Sequence, residues 1–182
     1  VNAGANDAFV TYSGTSTATM NTSNANDMTL IATDNLGAFA TGGNSTFTGT
    51  LDITANALTN TFALEANIIN VTNNVGSTGL NINGGVVAGA SLGTMANPAT
   101  VINLTSVAGP INFTGILDFY GVTNINAPTG QDINVANNSL ITGHDAVFVT
   151  GNAIVLSGNG KLIGAPLITD VGSIVNQTGS VT

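Results

Sequence analysis

A four-residue word recurs along this chain and limits its fold more than any other feature. The word runs apolar, then Asn or Asp, then apolar, then small and polar. It reads Leu51-Asp52-Ile53-Thr54, Ile69-Asn70-Val71-Thr72, Leu80-Asn81-Ile82-Asn83, Ile102-Asn103-Leu104-Thr105, Ile111-Asn112-Phe113-Thr114 and Ile133-Asn134-Val135-Ala136. Alternation with period two gives each word one apolar and one polar side, as a short strand requires. Successive starts lie 18, 11, 22, 9 and 22 residues apart, which clusters near about 11 and its double, in the range of stacked structural repeats. Ala5-Asn6-Asp7 and Ala25-Asn26-Asp27 repeat upstream with a spacing of 20. A wound chain follows, with apolar residues facing a narrow core and Asn and Thr facing out or stacking at corners.

The predicted fold is therefore all-β, a β-solenoid like a right-handed parallel β-helix, with a β-sandwich as the alternative because evenly spaced short strands suit that too. Ala57 to Ile69 is the one tolerable helical segment, and Thr59, Asn60 and Thr61 argue there for strand or loop. We read residues 1–182 as one domain. Within it, 1–50 is richer in Ser and Thr and reads as a cap, an edge or an exchanged strand, and 51–156 is the repeat core. Near the end, Val147-Phe148-Val149, Ile154-Val155-Leu156 and Leu167-Ile168 read as strands buried on both faces.

Charge narrows the partners. One Lys and no Arg stand against nine acidic residues, for a net charge of −8. Phosphate backbones need clustered cations, so nucleic acid is excluded and anionic membrane surfaces are disfavoured. Apolar runs are broken by Asn, Thr or Gly before reaching the ~20 residues of a transmembrane helix. Without Cys there is no disulfide or thiolate metal site. The first residue is Val1, from which we expect a signal sequence removed on export and an extracellular or cell-surface location.

Catalytic chemistry has little to work with. His144-Asp145 is the one adjoining base and acid, and neighbours in a strand point to opposite faces, so His144 reads as a loop residue. Asp118, Asp132 and Asp145 show no spacing that singles out a carboxylate pair. Lys161 stands alone. Asp7, Asp27 and Asp34 lie beside Asn, and these three and Asp52 show no calcium-loop pattern and read as Asx turns. No enzyme, metal site or cofactor is expected. Thr-x-Thr runs at Thr15 to Thr19 and Thr46 to Thr50 resemble ice-binding ranks but do not recur turn after turn. Asn21, Asn44, Asn70, Asn103, Asn112, Asn137 and Asn176 begin glycosylation sequons.

The repeated words from Leu51 to Leu156, the Asn, Thr and Gly surface, the scarcity of Lys and Arg and the lack of Cys resemble bacterial secreted β-helical adhesins, namely autotransporter passengers and filamentous-haemagglutinin-like exoproteins. The resemblance implies a right-handed parallel β-helix at a cell surface and assigns no functional residue. It agrees with what the residues suggest: a non-catalytic structural or adhesive subunit of a cell-surface fibre or biofilm matrix. With few charged gatekeepers, strand edges are open to further copies, so the expected partner is the chain itself, with a surface glycan or host protein second. Ala8, Phe9, Val10, Thr11 and Tyr12 form the expected donor strand. A glycan-binding or ice-binding module is the alternative, and its sign would be a cluster of aromatics or a flat threonine array.

Overall fold

The computed structural model describes residues 2–176 and 180–182. Among these residues no helix occurs, and the strands stack in parallel ladders as a β-solenoid of eight turns. Each turn visits three faces. On the first lie β1 (Ala8–Tyr12), β4 (Met28–Ala32), β7 (Thr50–Thr54), β10 (Ile68–Thr72), β13 (Val101–Thr105) and β16 (Val122–Asn126). The second carries β2 (Thr17–Met20), β5 (Ala38–Thr41), β8 (Ala57–Thr59), β11 (Leu80–Asn83), β14 (Ile111–Thr114) and β17 (Ile133–Val135). Two ten-residue strands, β19 (Val147–Leu156) and β21 (Leu167–Asn176), run through the corner and serve both faces. The third carries β3 (Asn24–Ala25), β6 (Ser45–Phe47), β9 (Ala63–Glu65), β12 (Ser91–Leu92), β15 (Ile116–Phe119), β18 (Leu140–Gly143), β20 (Lys161–Ile163) and β22 (Ser180–Val181).

The repeated word marks two of these faces. Words starting at Leu51, Ile69 and Ile102 stack on the first face, and those starting at Leu80, Ile111 and Ile133 on the second. The spacings of 18 and the last 22 are thus whole turns, and 11 and 9 are steps from first face to second. Partners down the first face are Ala8, Met28, Leu51, Ile69, Ile102, Thr123, Val147 and Leu167. The corresponding turns hold 20, 23, 18, 33, 21, 24 and 20 residues. Only the fourth departs strongly from the rest.

Alternate residues fill the core in columns. Met28, Leu51, Ile69 and Ile102 form one, and Phe39, Leu58, Ile82 and Phe113 another, all buried. Phe113 meets Phe119 edge to face, with centroids 6.3 Å apart. Thr123 breaks the apolar column it occupies, and its hydroxyl is satisfied by donating to the Gly121 carbonyl at 2.9 Å.

Outward residues also stack in columns, and here Asn is explained. Asn70 Nδ2 donates to Asp52 Oδ1 at 2.7 Å, Asn103 to Asn70 at 2.8 Å and Asn124 to Asn103 at 2.8 Å. A shorter column on the second face joins Asn112 to Asn81 at 2.9 Å and Asn134 to Asn112 at 2.8 Å. An amide both donates and accepts, so it can pass a hydrogen bond from turn to turn, whereas a carboxylate only accepts and fits at the end where Asp52 stands.

The first stretch joins the same lattice, since β1 to β6 make two complete turns. One expectation is corrected near the other end. The aliphatic runs are not buried on both faces: Phe148 is 38% and Ile168 46% exposed, because β19 and β21 alternate like the strands before them.

Candidate functional site

Two kinds of surface stand out: the ends of the rod, and the clefts on its side, among them two walled by the loops of the long fourth turn. At the N-terminal end, β1 pairs only with β4. Its inward residues have no turn beneath them, and Val10, Tyr12, Ala18, Met20, Leu30 and Phe39 line an open cup of about 240 Å³. At the C-terminal end β21 pairs only with β19, and its inward-facing Ile174 is 48% exposed. Among the described residues, each end thus leaves a strand with a single sheet partner above an apolar interior.

Continuing the lattice across these ends matches them residue by residue. Leu167 shares a column with Ala8, Ile168 with Phe9, Thr169 with Val10 and Asp170 with Thr11. The outward column that holds Asp52 and the Asn series turns apolar at both ends. Phe148 and Ile168 close one end, and Phe9, 66% exposed, opens the other. No pair in this register sets like charges against each other.

One such cleft belongs to the third face. Extra residues of the fourth turn make two loops, 84–90 and 93–100, on either side of the short strand β12. Between them and β15 lies a cavity of about 340 Å³. Ala63 and Ser91 are its floor, Asp118 and Tyr120 one wall, and Thr94 and Met95 sit at the rim. Gly93 lets the chain leave β12 sharply: its φ is +71°, and a Cβ would come within 2.3 Å of the Tyr120 carbonyl oxygen. The Asn60 amide holds the Ser91 carbonyl at 2.9 Å from inside.

One turn onward, the His144 ring stacks on Tyr120 with centroids 4.1 Å apart and planes within 1°. His144 Nε2 lies 2.9 Å from Asp118 Oδ1, and since a carboxylate only accepts, this nitrogen carries the proton. The partner of His144 is thus Asp118, 26 residues away, and not the adjacent Asp145. The sequence gives no signal for this trio, because it depends on the register of β15 with β18, which no local pattern sets. Glu65, at the far side of the loop, is held by the Thr94 hydroxyl at 2.8 Å and the Asn97 amide at 3.1 Å.

The remaining residues singled out from sequence fall as follows. Ala8, Phe9, Val10, Thr11 and Tyr12 are β1, in register with Met28 to Ala32 over all five positions. Asp34 makes an Asx turn to the Leu36 amide at 2.9 Å. Asp7 and Asp27 bridge turns, accepting from the backbone of Asp27 and Thr50. Asp132 accepts from Asn152 at 2.9 Å. Among the sequons, Asn70, Asn103 and Asn112 use their amide nitrogens in the columns. Asn21, Asn44 and Asn137 are exposed at corners. Asn176 ends β21, and its side chain lies outside the described residues.

Comparison with known protein families, with curated proteins and with solved structures finds no match for this chain.

Proposed function

We propose that this chain is the subunit of a non-catalytic structural or adhesive fibre at a cell surface, in which copies add end to end and continue one solenoid. The observation that carries the reading is the match between the two open ends. Parallel strands 4.7–4.9 Å apart are the spacing of any sheet, so a second copy supplies what each end lacks: backbone partners for β1 and β21, and a lid for the exposed interior. Phe148, Ile168 and the next copy's Phe9 then form one apolar strip across the joint. Natural monomers blunt such edges with Lys, Pro or bulges, whereas the chain's single cation, Lys161, lies on the third face. The sides of the rod, faced with Asn and Thr already bonded to each other, suit a surface that meets water without recruiting charged partners. In this arrangement β1 keeps its pairing with β4 of its own chain and offers its other edge to the neighbouring copy.

Sedimentation velocity and electron microscopy of the purified chain test this directly, with filaments expected. Charge substitutions at the joint add a test of register. F9K/I168K sets like charges across every joint and should give separate particles, while F9E/I168K sets opposite charges there and should restore filaments. A wild-type chain that sediments as a monomer at high concentration refutes the fibre reading. Filaments unaffected by either pair would leave the fibre and refute this register.

A further inference from the structure

The cleft on the third face has no part in end-to-end addition. It lies at the third to fifth turns, remote from both ends, where the long fourth turn departs from the length of its neighbours. Its floor is made of the two smallest side chains available, Ala63 and Ser91, stacked in one column with Asp118. Where these strands end, Glu65, Gly93, Tyr120 and His144 follow each other turn by turn, as the bonds from Gly93 N to Leu64 O, Tyr120 N to Leu92 O and His144 N to Phe119 O show. This corner column therefore carries two stacked rings and then, at Gly93, no side chain at all. His144 covers one face of Tyr120, and the remaining ring surface lines the cleft.

We propose that this cleft binds a neutral saccharide, one pyranose ring lying against Tyr120 over the floor of Ala63 and Ser91. An aromatic face carries negative charge density and attracts the polarised C–H groups that a pyranose presents on its flat side. The hydroxyls at the sugar's edge need acceptors and donors placed beside that ring. Asp118 supplies the acceptor. Its Oδ1 is held by His144, which fixes the carboxylate and leaves Oδ2 to accept from the sugar. Ser91 supplies a hydroxyl from the floor, while the Thr94 hydroxyl is already given to Glu65 and shapes the rim instead. No Lys or Arg lines the cleft, so nothing in it neutralises an acidic sugar. A single ring, with the Asp118 carboxylate already bonded to His144, is also a poor cage for an ammonium ligand.

The test uses the whole chain carrying Y12F, which leaves Tyr120 as the sole tyrosine and its fluorescence as the readout. Maltohexaose, cellohexaose and chitohexaose are titrated, with polygalacturonate and choline as comparators and calorimetry in parallel. At least one of the three neutral oligosaccharides should bind. Y120A should weaken it by about tenfold or more, a change of roughly one decade in Kd. A63L, which fills the floor without touching the rings, should do the same with the far-ultraviolet dichroism unchanged. D118N, which keeps an acceptor but loses the charge, should weaken binding by a few-fold. Failure of all three oligosaccharides to bind overturns the proposal. So does binding that survives A63L, or a response confined to choline or polygalacturonate. These outcomes do not depend on whether copies form filaments.

Discussion

The Asn column on the first face has a direction, and reversing one member should expose it. Asn103 gives its amide proton to Asn70 and accepts from Asn124, both at 2.8 Å, and Asn70 in turn gives to Asp52 at 2.7 Å. In N103D the new carboxylate can still accept from Asn124 but cannot give to Asn70. Two acceptor oxygens then face each other at hydrogen-bond distance. Asn70 cannot relieve this by turning its amide over, because Asp52 also only accepts. One net hydrogen bond is worth about 1 kcal/mol, and an acceptor left against another acceptor adds roughly 1–2 kcal/mol at this half-buried site, so N103D should cost about 2–3 kcal/mol. D52N alone should cost under about 0.5 kcal/mol, since an amide oxygen accepts as a carboxylate does. The informative variant is the pair. With an amide at position 52 the column can reverse: position 52 gives to Asn70, and Asn70 gives to the carboxylate at position 103. D52N/N103D should therefore be more stable than N103D by about 1 kcal/mol, a coupling between residues two turns apart. Urea denaturation read by circular dichroism measures the totals. Amide exchange in β10 and β13 localises the loss, which matters because a solenoid can open turn by turn. An N103D chain within about 0.5 kcal/mol of wild type, or a double variant no better than the sum of its parts, would refute a directional column.

Other outcomes follow from burial and backbone. F113A removes a fully buried ring that packs against Phe119 and should cost about 3–5 kcal/mol in the same denaturation assay. G109A and G130A share a left-handed backbone, at φ +76° and +80°, but a Cβ at Gly109 would lie 2.1 Å from the Thr78 carbonyl oxygen while none of the neighbours of Gly130 comes within 4 Å. G130A should therefore lose only the backbone term of about 1–2 kcal/mol, and G109A clearly more, judged by relative urea midpoints. Deleting residues 1–20 should leave filaments, because it moves the open end from β1 to β4 without closing it; monomers by sedimentation would show instead that an open strand edge is not enough and that the joint needs the side chains of β1. Trypsin should leave the folded chain whole in electrophoresis, since Lys161 begins β20 and its amide is bonded to the Ser139 carbonyl at 2.9 Å.

The alternation within each word determined, by itself, that the chain is all-β, and it placed the inward and outward residues of the words correctly, whereas the choice of solenoid over sandwich was made by the parallel stacking of the strands. A strand has period two, so Leu51, Ile53, Ile69 and Val71 have to share one side whatever their neighbours are. The first two faces were legible for that reason. Thr123-Asn124-Ile125-Asn126 escaped the pattern because Thr stands where an apolar residue is expected, and inside the fold its hydroxyl is silenced by Gly121. The third face left little trace, because strands as short as Asn24–Ala25 and Ser91–Leu92 are too brief for any alternation to show.

Which turn lies on which was decided only by the tertiary structure. No local pattern sets the register, and the turns range from 18 to 33 residues. The 33-residue turn brings Asn103 against Asn70 and raises the loops that wall the cleft. The one turn from β15 to β18 brings His144 onto Tyr120 and Asp118. A local pattern fixes where a side chain points relative to its own strand. Contact between strands depends on where each loop hands the chain back to the sheet, and loops of odd and even length do this alike. Turns of 18, 21, 23 and 33 residues all return an inward residue to the same column, so the pairing is settled by how the inward residues pack in the core and not by a count along the chain.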